Sequence, residues 1–165
     1  MQDERVQGFR LSPQQRRLWW LRQDAVAGSA AFRVQAIVRI TTPGGGDLDS
    51  ARLWFAVRRV AAGTEILRTC FQSLAGMGLP LQVVREELPP CLLERDLSGD
   101  LDGLAADQKQ SAIDALLREE WEAPWSPESD TPLRALLLTL DPGVRLLAVT
   151  LPGLCADRAG VANLV

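Results

Sequence analysis

The feature that most constrains the fold is a pair of apolar segments near the end of the chain. LRALLLTL (residues 133–140) and VRLLAVTL (residues 144–151) are separated by Asp141-Pro142-Gly143. Proline and glycine in that order are a turn signal, so the two segments predict an antiparallel hairpin. Both segments are nearly continuous apolar runs, which places the hairpin in the centre of the sheet.

Helix and strand patterns alternate along the rest of the chain. Ser12 is a good N-cap, Pro13 suits the first helical position and Gln15 can complete a capping box, so a helix is predicted from there to about Asp24. Residues 32–40 alternate as a strand. The order of all elements predicts an α+β fold, one layer in which helices cover a mixed or antiparallel sheet.

The remaining elements follow from the same signals. The predicted buried stripe of the second helix is Leu53, Val57, Val60 and Ala61, and the apolar face of the longest helix is Ile113, Leu116, Leu117 and Trp121. Glu119, Glu120 and Glu122 are predicted to form a solvated helix face. The predicted ranges are a helix from Asp47 or Asp49 to Ala62, strands over 66–72, 79–84 and 91–98, a helix over 104–122, and a helix after Asp157.

Composition excludes several classes of function. The net charge is −3 and the charges are interspersed, without the basic block that a nucleic-acid surface needs. The apolar runs are far shorter than the roughly 20 residues of a membrane helix. The opening stretch MQDERVQGF lacks the apolar core of a signal peptide. We therefore expect a single cytoplasmic domain over residues 1–165 that contacts neither nucleic acid nor membrane.

The chain contains no histidine and three cysteines, Cys70, Cys91 and Cys155. Without histidine, both the commonest general base and the commonest metal ligand are missing. The cysteines are widely separated, so neither a zinc site nor a disulfide framework is expected. Cys70 and Cys91 are interpreted as small buried apolar residues. We expect no metal and no directly bound cofactor.

A turn with the shape of an active site follows the second apolar segment. The strand ends at Pro152-Gly153, and Cys155, Asp157 and a helical tail come next. Cys155 is the only nucleophile in the turn, and cysteine catalysis needs a thiol pKa that a cation or histidine has lowered. Arg158 and the start of the following helix offer some positive charge. The apolar neighbours of Cys155 nevertheless favour a packed thiol, and Asp157 is a natural N-cap.

Three stretches share their order and spacing with a known family. LSPQQRRLWWLRQ is similar to the motif Ser-x-x-Gln-x-Arg-Leu/Met-Trp, and GTEILRTCF to Arg-His-Glu-x-Leu-Arg-Thr-x-Phe, with Gly63 and Thr64 in place of Arg and His. The ending WEAPWSPESDTPLRALLLTLDPGVRLLAVTLPGLCAD follows the family's helix, Pro-aromatic, Pro-Leu-Arg, strand, turn and strand, before a His-His-x-x-x-Asp-Gly motif. Together they resemble the condensation domains of nonribosomal peptide synthetases.

The resemblance implies one lobe of a chloramphenicol acetyltransferase-like fold, the N-terminal half of a condensation-like domain without its C-terminal lobe. Counting back from Asp157, Pro152 and Gly153 occupy the positions of the two motif histidines, and Arg158 occupies that of the final glycine. The second histidine is the family's main catalytic residue. The resemblance therefore implies a degenerate motif in which only Asp157 survives, with the expected ion-pair partner of Asp157 in the second lobe.

The other motif residues are expected to act structurally. The matching positions are Ser12, Gln15, Arg17, Glu65 and Arg68, and Arg68 is expected to form a buried ion pair. Of the neighbouring pair Trp19 and Trp20, one is expected in the core and the other at a lobe interface.

Two functions remain open. The first is a catalytically silent lobe that acts as a scaffold or docking platform for peptidyl carrier proteins, neighbouring synthetase domains or a tailoring enzyme supplied in trans. The second is half of an active condensation domain that forms amide bonds between carrier-bound thioesters by positioning alone, without a histidine base. Both imply the phosphopantetheine arm of partner carriers. The face that would meet the missing lobe is also expected to promote self-association.

Overall fold

The computed structural model describes residues 8–24, 32–42, 44 and 46–164. The opening residues, in which no signal peptide is predicted, lie largely outside this part of the chain. No helix in the described ranges combines the length and the apolar character needed to cross a membrane. The elements are β1 (Phe9–Arg10), α1 (Pro13–Asp24), β2 (Arg33–Thr41), α2 (Ser50–Gly63), a 3₁₀ helix (Glu65–Arg68), β3 (Thr69–Gln72), β4 (Leu81–Val84), β5 (Cys91–Asp96), α3 (Ala106–Glu122), β6 (Arg134–Asp141), β7 (Val144–Pro152) and α4 (Arg158–Ala162).

The predicted hairpin forms the centre of a four-stranded sheet with the strand order β2-β7-β6-β5. β6 and β7 are antiparallel, with Ala135 opposite Val149 and Leu137 opposite Leu147. β2 is antiparallel to β7, whereas β5 is parallel to β6. The sheet is therefore mixed, and the α+β prediction is confirmed.

Both faces of the hairpin are buried, which explains why its two strands are apolar at nearly every position. On one face, Leu137 and Leu147 join a cluster with side chains from α2 and α4. On the other face, Leu138 and Ala148 join a second cluster that includes Ile113 of α3. The sheet thus lies between α2 with α4 on one side and α3 on the other.

A second, smaller sheet was not predicted as a separate unit. β1, β4 and β3 form a three-stranded antiparallel sheet in the order β1-β4-β3. The strand predicted over residues 66–72 is wrong in its first half, because residues 65–68 form the 3₁₀ helix. The Thr69 hydroxyl donates to the Glu65 carbonyl at 2.8 Å and closes that turn. Leu67 lies in this helical turn and is buried. An apolar residue at its position also fits the alternating pattern of a strand, which explains the wrong prediction.

The predicted capping box at the start of α1 is present. The Ser12 hydroxyl accepts from the Gln15 amide at 3.2 Å, and the Gln15 side-chain oxygen accepts from the Ser12 amide at 2.8 Å. Further along the helix, Trp19 is buried while Trp20 is 50% exposed. The expected core tryptophan is therefore Trp19, and the place of Trp20 at a lobe interface stays a prediction.

The start of α2 resolves the choice between two predicted caps. Asp49 is the N-cap, and its carboxylate accepts from the Arg52 amide at 3.0 Å. Asp47 instead pairs with Arg145 of β7, with 2.5 Å between the guanidinium nitrogen and the carboxylate oxygen.

The predicted stripe of α2 faces the core in part: Ala61 is buried, and Leu53 and Val57 are half-buried against the same cluster. Val60 is 42% exposed, while Trp54, which was not predicted, is buried. The Trp54 indole donates to the Glu94 carboxylate of β5 at 3.1 Å. That hydrogen bond satisfies its only polar atom, so the larger side chain fills the core position.

The prediction of a solvated glutamate face on α3 is wrong at Glu120. Glu119 and Glu122 are exposed, but Glu120 is only 4% exposed. Its carboxylate accepts from Arg134 Nε at 2.6 Å and from the Arg134 terminal nitrogen at 2.9 Å. This bidentate bond raises the pKa of Arg134 above its ordinary value. Arg134 begins the central hairpin, so the pair fastens α3 to the sheet.

The Glu120–Arg134 pair leads to a test by mutation. Glu120→Ala should lower the free energy of unfolding by about 3 kcal/mol, because it leaves a partly buried guanidinium without its carboxylate. Glu119→Ala, one residue earlier on the exposed face, should change it by less than about 0.5 kcal/mol. Urea unfolding followed by circular dichroism measures both. Equal losses for the two variants would contradict the assigned role of Glu120.

Candidate functional site

The three motif stretches converge on one open cleft. The cleft has a volume of about 850 Å³. Its walls come from the start of α1, the 3₁₀ helix and the turn after β7. The predicted motif residues that line it include Ser12, Gln15, Arg17, Gly153, Cys155 and Asp157.

Gln15 ties α1 to the turn that follows β7. Its side-chain nitrogen donates to the Leu154 carbonyl at 2.9 Å and to the Gln82 side-chain oxygen at 2.9 Å. Gln82 in turn donates to the Arg10 carbonyl at 3.1 Å. One glutamine thus joins the cap of α1, the turn and the smaller sheet. No sequence pattern indicated Gln82, because a polar residue in a short strand is not distinctive.

The turn itself is held by backbone hydrogen bonds. The Pro152 carbonyl accepts from the amides of Cys155 at 2.8 Å and Ala156 at 3.2 Å, and the Gly153 amide donates to the Phe32 carbonyl at 2.7 Å. Pro152 is buried at the end of β7, beyond the last residue pair between β7 and β6. A proline is tolerated there because no neighbouring strand needs its missing N–H.

Gly153 lies where a side chain has little room. A Cβ atom at this position would lie 3.1 Å from the Phe32 carbonyl oxygen and 3.8 Å from Leu18 Cδ1. The first distance is shorter than an ordinary contact, and it involves backbone rather than a movable side chain. Any residue other than glycine, histidine included, therefore requires the turn and the start of β2 to separate by a few tenths of an ångström.

Cys155 packs against a hydrophobic cluster instead of presenting a thiolate. The cluster consists of Leu11, Trp19, Phe71 and Leu154. Burial, and secondly the nearby Cys70 thiol, raises the pKa of Cys155 far above that of a free cysteine. In the part of the chain that the structure describes, no cation offsets this effect of burial, and Arg158 does not contribute. The thiol is therefore protonated and unreactive at neutral pH.

Cys70 is buried and Cys91 is half-buried. In the described part of the chain, no three side chains of histidine, cysteine, aspartate or glutamate lie close enough together to hold a metal ion.

Asp157 caps α4. Its carboxylate accepts from the Gly160 amide at 2.7 Å, and its carbonyl accepts from the Val161 amide at 3.0 Å. Within the described residues it forms no ion pair. Arg158, the next residue, is exposed and lines a different groove beside β2. The structure therefore brings Asp157 to the cleft and places Arg158 outside it.

The remaining motif residues divide between the cleft and its supports. Arg17 is exposed and lines the cleft, and Glu65 is exposed on the 3₁₀ helix. Arg68 donates to the Arg85 carbonyl at 2.5 Å, and the Arg85 amide returns a bond to the Arg68 carbonyl at 2.9 Å. The expected buried ion pair of Arg68 is wrong among the described residues, because its observed acceptor is a carbonyl. Its contact is nonetheless structural.

A family model described as Condensation domain matches residues 6–156. The chain belongs to the condensation domain family. A search of curated proteins finds no match.

Solved structures agree with this assignment. The starter condensation domain of the rhizomide synthetase RzmA superposes with a TM-score of 0.78 at 18% identity, covering 96% of this chain and 35% of that one. The first condensation domain of the calcium-dependent antibiotic synthetase, in complex with a substrate analogue, gives 0.70 at 23% identity, covering 88% and 32%. The complex of the X-domain and OxyB from teicoplanin biosynthesis gives 0.72 at 25% identity, covering 99% and 31%. This chain spans about a third of the length of each.

The close contact at Gly153 predicts that any side chain added there lowers the free energy of unfolding. Gly153→Ala should destabilise the fold by roughly 1 kcal/mol, as expected for overpacking against backbone. Gly63, at the end of α2, has nothing within 4 Å of its Cβ position. Gly63→Ala should therefore be neutral or stabilise by up to about 1 kcal/mol. Thermal unfolding of the two variants measures the difference, and a Gly153→Ala variant as stable as Gly63→Ala would refute the contact.

The protonated, packed thiol of Cys155 predicts slow chemical modification. With iodoacetamide near pH 8, Cys155 should react on the order of a hundredfold more slowly than a free cysteine, because thiolate is the reactive form. The rate should rise as the pH is increased, since the pKa is raised. Peptide mass spectrometry after timed quenching gives the rate for each cysteine. Labelling of Cys155 as fast as free cysteine would show an activated thiol and contradict this assignment.

Proposed function

We propose that the chain is a catalytically silent condensation-type lobe of a nonribosomal peptide synthetase, which serves as a scaffold or docking platform. The observation that carries the proposal is the lack of an imidazole in the cleft. The chain has no histidine, and glycine stands where the resemblance expects the catalytic imidazole. The turn keeps its shape through backbone hydrogen bonds that need no imidazole.

The other polar groups of the turn do not replace that histidine. The carboxylate of Asp157 accepts the Gly160 amide as a helix cap, so at least one of its oxygens is committed to the fold. The Cys155 thiol is protonated and packed. Arg17 is a permanent cation, which binds anions or orients a substrate but does not remove a proton at neutral pH. These features favour binding over amide-bond chemistry.

The proposed partners follow from the family and from one related structure. The resemblance implies carrier proteins, whose phosphopantetheine arms would bring substrates to a condensation cleft. The X-domain from teicoplanin biosynthesis, with 25% identity to this chain, was solved in complex with OxyB. That complex supports a platform that binds a second protein of the same biosynthesis. We therefore propose a carrier protein or a tailoring enzyme as the partner.

A condensation assay tests the proposal. The chain, together with whatever sequence follows it in its gene, is incubated with one acyl-loaded and one aminoacyl-loaded carrier protein. Amide product is quantified by mass spectrometry, and binding of each carrier and of a tailoring enzyme from the same gene cluster by calorimetry. We expect no product above the uncatalysed background, together with saturable binding of at least one of these proteins.

Two comparisons make the outcome decisive. An intact condensation domain with both histidines, assayed with the same carriers, shows that the substrates are competent. A Pro152→His, Gly153→His double variant restores the motif, and product from this variant alone would attribute the silence to the missing imidazoles. Product from the native chain would instead establish condensation by positioning. An absence of both product and binding would refute the platform.

A further inference from the structure

The outward side of α2 carries an exposed phenylalanine at the middle of the helix. α2 buries Trp54 and Ala61 against the sheet, whereas Phe55 is 63% exposed. Successive residues of an α-helix are about 100° apart around its axis, so Phe55 projects away from the core that its neighbour Trp54 fills. An exposed aromatic ring on a regular helix is well placed to anchor a partner.

The helix surface around Phe55 is basic. Residues three and four positions apart are neighbours on the surface of a helix. For Phe55 these neighbours are Ala51, Arg52, Arg58 and Arg59, and all four are exposed. The guanidinium carbon of Arg59 lies 6.0 Å from the centre of the Phe55 ring, a contact that also orders the ring. Phe55 and the three arginines around it are called the basic face of α2.

The charge of this face is not balanced within the helix. Residues 50–63 contain three arginines and neither aspartate nor glutamate. In the described part of the chain, no ion pair includes a residue of α2. Asp49, which precedes the helix, uses its carboxylate to cap the Arg52 amide. The whole chain has a net charge of −3, so the positive charge is a local feature of α2.

The exposed surface of α3 shows a different arrangement. It mixes both signs, with Asp114 four residues before Arg118 and Glu119 directly after it. Interspersed charges of this kind keep a surface soluble without favouring partners of one sign. On α2, like charges are instead concentrated around one aromatic ring. A partner of opposite charge would relieve their repulsion, so charge complementarity argues for an acidic partner.

The chemistry of the basic face fits a protein better than a nucleic acid or a membrane. Nucleic-acid binding draws on many distributed cations, whereas this chain is acidic overall. Insertion into a membrane needs a broad apolar face, but the apolar side chains Leu53, Trp54 and Val57 of α2 already pack on the sheet. Protein interfaces commonly combine an aromatic anchor with arginines.

The shape of the helix surface favours a helical partner. The exposed residues Ala51, Ala56 and Ala62 have short side chains, so the surface beside Phe55 is low. A second helix can therefore lie across α2 with the Phe55 ring between two of its ridges, as in ordinary packing of ridges into grooves.

We propose that the basic face of α2 docks an acidic, amphipathic α-helix of a partner protein. Phe55 would pack between apolar side chains of that helix, and the three arginines would pair with carboxylates at its margins. Among the described residues that line the cleft, none belongs to this face. The inference rests on the proposed docking function, because it names the surface used and the chemistry of the docked partner.

Fluorescence anisotropy with a designed peptide tests the proposal. The probe is a fluorescein-labelled helical peptide of about 18 residues, longer than the length at which isolated helices are marginal. It has leucines along one face and glutamates on both sides of them, and a matched peptide has lysines in place of the glutamates. The acidic peptide should bind saturably and more weakly as salt is added, because exposed charges are screened. The lysine peptide should not bind.

Variants of the chain locate the binding site. Phe55→Ala should weaken binding of the acidic peptide by at least about tenfold, and Arg59→Glu by a similar factor. Phe9→Ala and Arg118→Glu remove an equally exposed phenylalanine and an exposed arginine elsewhere, and should leave binding unchanged. Circular dichroism verifies that each variant is folded.

Several results would overturn the proposal. These are no saturation at millimolar acidic peptide, equal binding of the lysine peptide, and equal affinity of the Phe55→Ala and Phe9→Ala chains. Tighter binding of a single-stranded oligonucleotide or of phosphatidylserine vesicles, lost in Phe55→Ala, would assign the face to a nucleic acid or a membrane. Dimerisation in sedimentation experiments that Phe55→Ala abolishes would identify a second copy as the occupant.

The same variants distinguish this inference from the proposed function. A carrier protein or tailoring enzyme that binds the Phe55→Ala chain as tightly as the native chain would support the platform and overturn docking at α2. Amide product from the native chain, together with peptide binding that Phe55→Ala abolishes, would overturn catalytic silence and support docking at α2.

Discussion

Burial of both faces of the β6–β7 hairpin is the constraint on which the rest of the structure depends. A strand with two apolar faces cannot be solvated on either one, so each face requires its own helical cover. α2 and α4 cover one face, and α3 covers the other. The turn of the cleft begins where β7 leaves this core, and its backbone is consequently positioned by the most buried part of the fold.

Three arginines connect the two strands β6 and β2 and the helix α1 to the region at the end of α3. Arg134 starts β6 and holds Glu120, while Arg33 starts β2 and donates to carbonyls at the C-terminus of the same helix. Arg22 of α1 completes the group by bonding to the Trp125 carbonyl, with its guanidinium 5.3 Å from the Trp125 ring. Cations near the C-terminus of a helix also stabilise it, because the helix dipole is negative at that end. Arg33 and Arg134 both lie near the single carboxylate of Glu120, which leaves positive charge at the start of β2.

Local signals in the sequence predicted the elements well, whereas contacts between distant segments were not predictable. The hairpin, the Ser12–Gln15 capping box and the Asp157 cap depend on neighbouring residues, and all three are present. The parallel pairing of β5 with β6 spans the whole of α3 and leaves no local pattern. Glu120 looked solvated because its partner, Arg134, is separated from it by an irregular segment.

The candidate site was also predictable only in part, because the order of the motifs was informative whereas the contacts between distant residues were not. Motif order identified the stretches that meet at the cleft, including Gln15 and Asp157. Three features have no local pattern in the sequence: the bridge through Gln82, the contact between Gly153 and the Phe32 carbonyl, and the carbonyl acceptor of Arg68. Each joins residues far apart in the chain.

None of the bonds that hold the turn involves a side chain at position 152 or 153, because they come from backbone groups, Gln15 and the Asp157 cap. The turn therefore keeps its conformation without imidazoles. The fold of this turn consequently requires no histidine at position 152 or 153.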